Sequence, residues 1–203
     1  MKIALIGATG SVGSRVLAEA LSRGHEVTGV ARHPEKLEEQ SGLQIQRGDV
    51  GQPLELAKTL EGHDVVVSSV RFRDFDVADL LASVDAAGVS RLVVVGGAGS
   101  LKVASGQQLA ETAAFPEAVK PEAHAGAKVL DSLRNVEDLN WTFISPSALF
   151  TPGERTGRYR LGKDDLLTGA DGKSRVSQED YAIALVDELE ANAHPRQRFT
   201  VGY

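Results

Sequence analysis

Three glycines stand at intervals of three in Gly7-Ala8-Thr9-Gly10-Ser11-Val12-Gly13. The short apolar run Lys2–Ile6 precedes them, and a helical pattern near Val12–Ser22 follows. Between a strand and a helix each glycine has its own duty. The first permits a tight turn, the second lets the backbone approach a pyrophosphate, and the third lets the helix pack closely on the strand. The amides and the positive end of the following helix then hold phosphates. Thr9, Ser11 and Val12 complete the loop, and the segment reads as a dinucleotide site.

The run Val27-Thr28-Gly29-Val30-Ala31-Arg32-His33-Pro34 bears on which dinucleotide. NAD-binding sites of this kind carry an acid here for the ribose 2′-hydroxyl. This chain carries Arg32, whose guanidinium suits a 2′-phosphate, so NADP(H) is favoured over NAD(H). The other reading of Arg32 is a solvated loop residue, and His33 has the same pair of readings. Arg71-Phe72-Arg73 offers an aromatic ring between two guanidiniums, suited to stacking a planar acceptor, unless Phe72 packs inward. Phe150 would either wall that pocket or join the core. Gly96-Gly97-Ala98-Gly99-Ser100 ends another apolar run, where small residues would leave room for a flat ring.

The elements that must position these residues follow from hydrophobic periodicity. Candidate strands are Lys2–Ile6, Glu26–Ala31, Leu43–Gln46, Asp64–Ser69, Arg91–Val95 and Asn140–Ser145. Helical patterns lie near Val12–Ser22, Leu54–Leu60, Val77–Ala86 and Ala123–Arg134. Runs such as Leu92-Val93-Val94-Val95 are apolar without alternation, as in parallel strands covered on both faces. The alternation predicts an α/β doubly wound parallel sheet of order 3-2-1-4-5-6. A seventh strand is expected near Arg198–Val201, after a helix capped by Ser177 and running to about Ala191. One domain is expected over residues 1–203, with about 146–203 supplying substrate-side loops and the last helix and strand.

Composition narrows the chemistry. The chain has no cysteine, which excludes disulfides, thiolate metal sites and thiol nucleophiles. Its five histidines are scattered, so no metal site is expected. A formal net charge of −6 argues against nucleic acid as a partner. No apolar run has the length of a membrane span, and the apolar start is too short for a signal peptide. The expectation is a cytoplasmic monomer or homodimer acting on a small planar molecule.

The glycine loop, the segment from Trp141 to Gly157 and the ending Arg198-Phe199-Thr200-Val201-Gly202-Tyr203 resemble a known group. The chain resembles atypical short-chain dehydrogenases/reductases of the Rossmann superfamily. Within them it is similar to bacterial NADH–flavin-reductase-like proteins, relatives of the biliverdin-reductase-B-like and NmrA-like groups. The resemblance implies that Asp49 and Val50 lie on the adenine side, although Asp49 also suits a turn. It implies backbone contacts from Ser68, Ser69 and Val70 against the adenine ribose and nicotinamide side; Gly97, Lys128 and Pro146 are further expected cofactor contacts.

The usual catalytic pair of that superfamily is Tyr-x-x-x-Lys on the helix after the fifth strand. Here the segment is His124-Ala125-Gly126-Ala127-Lys128, with the lysine kept and the tyrosine replaced. Spacing of four puts His124 and Lys128 on one helix face. Histidine titrates near neutrality, so His124 is either a proton donor or a helix-start residue without catalytic duty. Tyr159-Arg160-Leu161-Gly162-Lys163 spells the same pattern, but its glycines disfavour a helix and it comes too late in the topology.

Losing the tyrosine argues against sugar epimerases and dehydratases, which need a positioned acid or base on oxygen. Reduction of a flavin, FMN or FAD, or of a quinone-like acceptor demands less, because hydride passes between stacked rings and water can supply the proton. The expected function is an NAD(P)H-dependent reductase. The alternative is an NADP(H)-sensing regulatory protein of the NmrA-like type.

Overall fold

The computed structural model describes residues 1–203. Its first part alternates strands and helices: β1 (Lys2–Ile6), α1 (Ser11–Ser22), β2 (Glu26–Ala31), β3 (Leu43–Arg47), α2 (Pro53–Leu60), β4 (Val65–Ser68), α3 (Val77–Ala86) and β5 (Arg91–Val95). Then come α4 (Lys120–Arg134), β6 (Asn140–Pro146), β7 (Leu149–Thr151), β8 (Arg160–Gly162), β9 (Arg175–Ser177), α5 (Gln178–Ala191) and β10 (Gln197–Gly202). The main sheet runs β3-β2-β1-β4-β5-β6-β10-β8, and β7 pairs with β9. The expected order 3-2-1-4-5-6 is therefore present in a Rossmann-like α/β fold. The seventh strand is β10, parallel to β6, while β8 is antiparallel to β10.

The chain falls into two compact units, Met1–Val94 with Asp138–Trp141, and Val95–Glu137 with Thr142–Tyr203. In the first, Ile3, Leu5, Val66, Val67, Leu92 and Val93 are fully buried. Their near-continuous apolar runs suit parallel strands covered on both faces. The edge strand β3 instead exposes Gln44, Gln46 and Arg47. Ile6 is level with Val30 on one side and Ser68 on the other, and Ala31 is level with Arg47. Parallel register thus brings the residues after β1, β2, β3 and β4 to one edge of the sheet. Local signals start the helices on cue. Pro53 opens α2, and the Asp76 carboxylate accepts from the Ala78 amide at the start of α3, 2.9 Å away.

The second unit is built on Phe143, Ile144, Tyr181, Leu185 and Phe199, all buried. The Tyr181 hydroxyl donates to the Ile144 carbonyl at 2.7 Å, and burial pushes its phenol above the ordinary range. Ser177 caps α5 by accepting from the Asp180 amide at 3.0 Å. Asn192, left-handed at φ 46°, ends that helix. The stretch after Pro146 was expected to be loop apart from its last helix and strand, yet it holds the three-residue strands β7, β8 and β9. Strands this short carry no readable periodicity; they exist because distant partners pair with them.

Candidate cofactor site

A cavity of ≈ 390 Å³ opens at the sheet edge of the first unit. Gly7, Thr9 and Gly10 come from the loop after β1, and Arg32, His33 and Lys36 from the segment after β2. Gly48, Asp49 and Val50 follow β3, while Ser69, Val70, Arg71 and Asp74 follow β4. The expected cofactor residues Gly7, Thr9, Gly10, Arg32, Asp49, Val50, Ser69 and Val70 are therefore brought together.

The glycine loop has the form that a phosphate cradle needs. Gly7 sits at φ +86°, and a β-carbon there would strike the Ser69 carbonyl. A β-carbon on Gly13 would meet the Gly7 carbonyl carbon at 2.9 Å, so α1 packs backbone to backbone against the loop. Gly10 is the N-cap of α1, with no capping side chain and no acid in the first turn. The first amides of α1 are thus left without a competing carboxylate, the condition for holding an anion. Ser11 and Val12 begin the helix, outside the cavity lining.

Charge in the cavity is mixed: three cations (Arg32, Lys36, Arg71) face two carboxylates (Asp49, Asp74). Arg32 is well exposed, with Nη2 3.5 Å from Asp74 Oδ2. Asp49 accepts from the Gly51 amide at 3.0 Å, which makes it a turn aspartate that also lines the cavity. Sequence reasoning missed Lys36 and Asp74. Both fall on short 3-10 turns, Pro34–Lys36 and Phe72–Asp74, with no pattern to mark them.

Several expectations need correction. Ser68 is buried within β4, which leaves only its backbone for the expected contact. Phe72 is 8% exposed, at the start of a 3-10 turn, and offers no open face for stacking, which is the inward-packed reading. Arg71, expected at the acceptor, lines the same cavity as Arg32. In the second unit, Gly96 and Gly99 do not make room for a flat ring. β-Carbons there would clash with the ring of Phe143 and with Ala123, respectively. Gly97 beside them is only partly buried, and Pro146 is buried at the end of β6. Phe150 packs on Tyr181 with ring centroids 4.7 Å apart, which is the core reading.

α4 carries His124 and Lys128, both exposed, while Gly126, Val129, Leu130 and Leu133 are buried. The face expected from four-residue spacing is therefore the solvent face of the helix. His124 Nε2 lies 2.9 Å from Glu111 Oε1. A carboxylate only accepts, so in this contact Nε2 is the donor. Glu111 was missed because it stands in the long connection after β5, thirteen positions before its partner. Tyr159 lies just outside β8 rather than on a helix, and its hydroxyl bonds Asp187.

The second unit also holds a buried cation. Arg198 on β10 donates to Ser100 Oγ at 3.2 Å and pairs with Asp164. Burial raises the Asp164 pKa, but the Arg198 hydrogen bond and charge outweigh it and hold the carboxyl below the usual range.

A family model described as NAD(P)H-binding matches residues 7–192. The chain belongs to this NAD(P)H-binding family. Solved structures agree with it over the whole chain. A Burkholderia pseudomallei protein described as a "putative exported protein" is 45% identical, with TM-score 0.90 and 100% of both chains covered. A "putative epimerase" of Bacteroides thetaiotaomicron is 45% identical, with TM-score 0.93, covering 100% of this chain and 96% of its own. A "putative NADH-flavin reductase" of Streptococcus pneumoniae is 37% identical, with TM-score 0.84, covering 100% and 99%. The glycine cradle in this NAD(P)H-binding chain thus has the family's ligand class to match its geometry. No helix in it is long and apolar enough to cross a membrane.

Proposed function

We propose that the protein is an NADPH-preferring reductase that transfers hydride to a flavin or another planar, quinone-like acceptor. The observation that carries the reading is the cavity where the glycine cradle and Arg32 line one space. Gly7, Gly10 and the first turn of α1 would hold the pyrophosphate, and Arg32 the 2′-phosphate. Ser69 and Val70 would lie along the ribose, with Asp49 toward the adenine. A bound nicotinamide supplies hydride, which with one proton reduces the acceptor by two electrons. The imidazolium form of His124 is the group offered for that proton and is left neutral by the transfer, with Lys128 one turn further along α4. The name of the Streptococcus pneumoniae relative supports this reaction class. The name of the Bacteroides relative points to epimerisation, but a histidine at position 124 lacks the phenol that such chemistry uses in the superfamily. The reading also puts the protein in the cytoplasm, although the Burkholderia relative is described as exported.

The test is to mix the purified protein with NADPH and FMN, FAD or a quinone and follow NADPH absorbance. Turnover is expected, and bound cofactor with no turnover on any acceptor overturns the reading. His124→Ala is expected to lower kcat about tenfold, less than the ~100-fold or more typical of general acid–base catalysis, because water can also protonate a flavin. NADPH affinity should stay within about twofold. An unchanged rate removes His124 from the mechanism. Arg32→Ala should weaken NADPH about 10- to 100-fold, the range of one or two charge-assisted hydrogen bonds. NADH should change little, and calorimetry with each cofactor checks both.

The replaced tyrosine fits a second reading almost as well, an NADP(H) sensor of the NmrA-like type. A sensor would bind the dinucleotide without turnover and capture a protein partner differently in NADPH and in NADP⁺.

A further inference from the structure

We infer that Asp74 is the residue that limits the preference for NADPH over NADH, acting as a built-in rival to the 2′-phosphate. The inference rests on the reading that Arg32 receives that phosphate. The end of β2 carries no acid. The fold supplies one from elsewhere: Asp74, in the connection between β4 and α3, reaches the same cavity wall. Its Oδ2 stands 3.5 Å from Arg32 Nη2, so the guanidinium already has a counter-ion.

The turn that carries Asp74 is anchored. The Asp74 backbone amide donates to the Arg71 carbonyl at 3.0 Å, and its turn neighbour Phe72 is buried. The Arg32–Asp74 pair is open to solvent, with side-chain exposures of 59% and 39%, so its strength depends on salt. A phosphate dianion seated on Arg32 would meet this negative charge at short range, and like charges so placed oppose each other. A ribose 2′-hydroxyl meets no such opposition, since a carboxylate accepts its hydrogen bond. Lys36 and Arg71 on the same wall offset part of the repulsion, which lets NADPH bind at all. The site is therefore tuned toward using both cofactors, and the acid that tunes it lies 42 positions beyond Arg32.

The test titrates NADPH and NADH calorimetrically into the full-length wild type, Arg32→Ala, Asp74→Asn and Asp74→Glu, with thermal melts to verify folding. Asp74→Asn is expected to raise the NADPH-to-NADH affinity ratio about 5- to 10-fold, mainly by tightening NADPH. The gain should shrink in high salt, as expected for charges that solvent reaches. Asp74→Glu keeps the charge and should keep a ratio near the wild type. An Asp74→Asn ratio within twofold of wild type, or weaker NADPH, overturns the inference even where Arg32→Ala discriminates the two cofactors. If Arg32→Ala binds both cofactors as the wild type does, the Arg32 reading fails, and the role of Asp74 falls with it.

Discussion

A Gly13→Ala variant is expected to lose dinucleotide binding about 100-fold and to melt roughly 5–10 °C lower, although alanine is the better helix former. The helix preference favours alanine over glycine by about 1 kcal/mol inside α1. Against it stands the new β-carbon, which would overlap the Gly7 carbonyl and lie 3.2 Å from Ala8 Cα. These neighbours are backbone, so no side chain can swing aside. Relief needs α1 to move off the loop after β1. Overpacking of this kind costs about 1–3 kcal/mol or more, and each kcal/mol lowers the melting temperature about 2–4 °C in a chain of this size. Binding suffers more than folding, because the displaced atoms are those that shape the cradle. Gly10→Ala is the control: its β-carbon would be 3.2 Å from the Gly7 carbonyl oxygen, a contact that a slight shift relieves. Its expected melting loss is under half that of Gly13→Ala. Equal losses for the two variants would show that the close approach at Gly13 is not what the cradle depends on. Differential scanning fluorimetry and an NADPH titration give both readouts.

The glycine loop was legible because its requirement is local: three glycines at two equal spacings, one strand before, one helix after. The same holds for β1, β2 and β5, whose apolar runs carry their own boundaries, and for Ser177, whose cap is written beside the helix it starts. What the sequence did not disclose depends on distant partners. β8 is Arg160-Leu161-Gly162, which has no strand signature until Thr200–Gly202 pairs with it. Gly96 and Gly99 follow a strand just as a ligand-facing glycine would, and only Phe143 and Ala123 reveal that neighbouring side chains fill the space. Asp74 and Glu111 join the candidate groups by coming back in space to Arg32 and His124. The same folding moved Arg71 from the expected acceptor side to the cavity with Arg32. Chemistry carried by one contiguous loop is readable in advance, whereas the counter-ions that tune it are not.

Those distant partnerships set the second large effect, at Asp180. This carboxylate is fully buried and accepts four hydrogen bonds. The Thr156 and Gly157 amides donate at 2.7 and 2.8 Å, and the Thr156 and Tyr203 hydroxyls at 2.5 and 2.7 Å. Burial alone would raise its pKa, but the hydroxyls of Thr156 and Tyr203 and the two amides together lower it below the usual range. Its place in the first turn of α5 adds the favourable helix-end field. A group whose folded pKa is depressed contributes stability that is fully present above its unfolded pKa, near ~3.9, and is lost as pH falls through the folded value. Asp180→Ala should therefore cost about 2–4 kcal/mol at neutral pH, since it leaves buried donors without acceptors. The expected fall in melting temperature is about 4–16 °C. The gap between variant and wild type should start to narrow below pH ~4, where the unfolded chain's carboxyl protonates, and close further as pH falls through the lower folded value. A gap independent of pH would mean that the side chain acts through packing and not through charge. The same carboxylate fastens Thr156 and Gly157 to α5, within the stretch expected to shape the acceptor side. Below its melting range, the variant should raise the KM for the acceptor several-fold while leaving the NADPH Kd within about twofold. If acceptor and cofactor affinities fall together, the loop at Thr156 does not belong to the acceptor side alone.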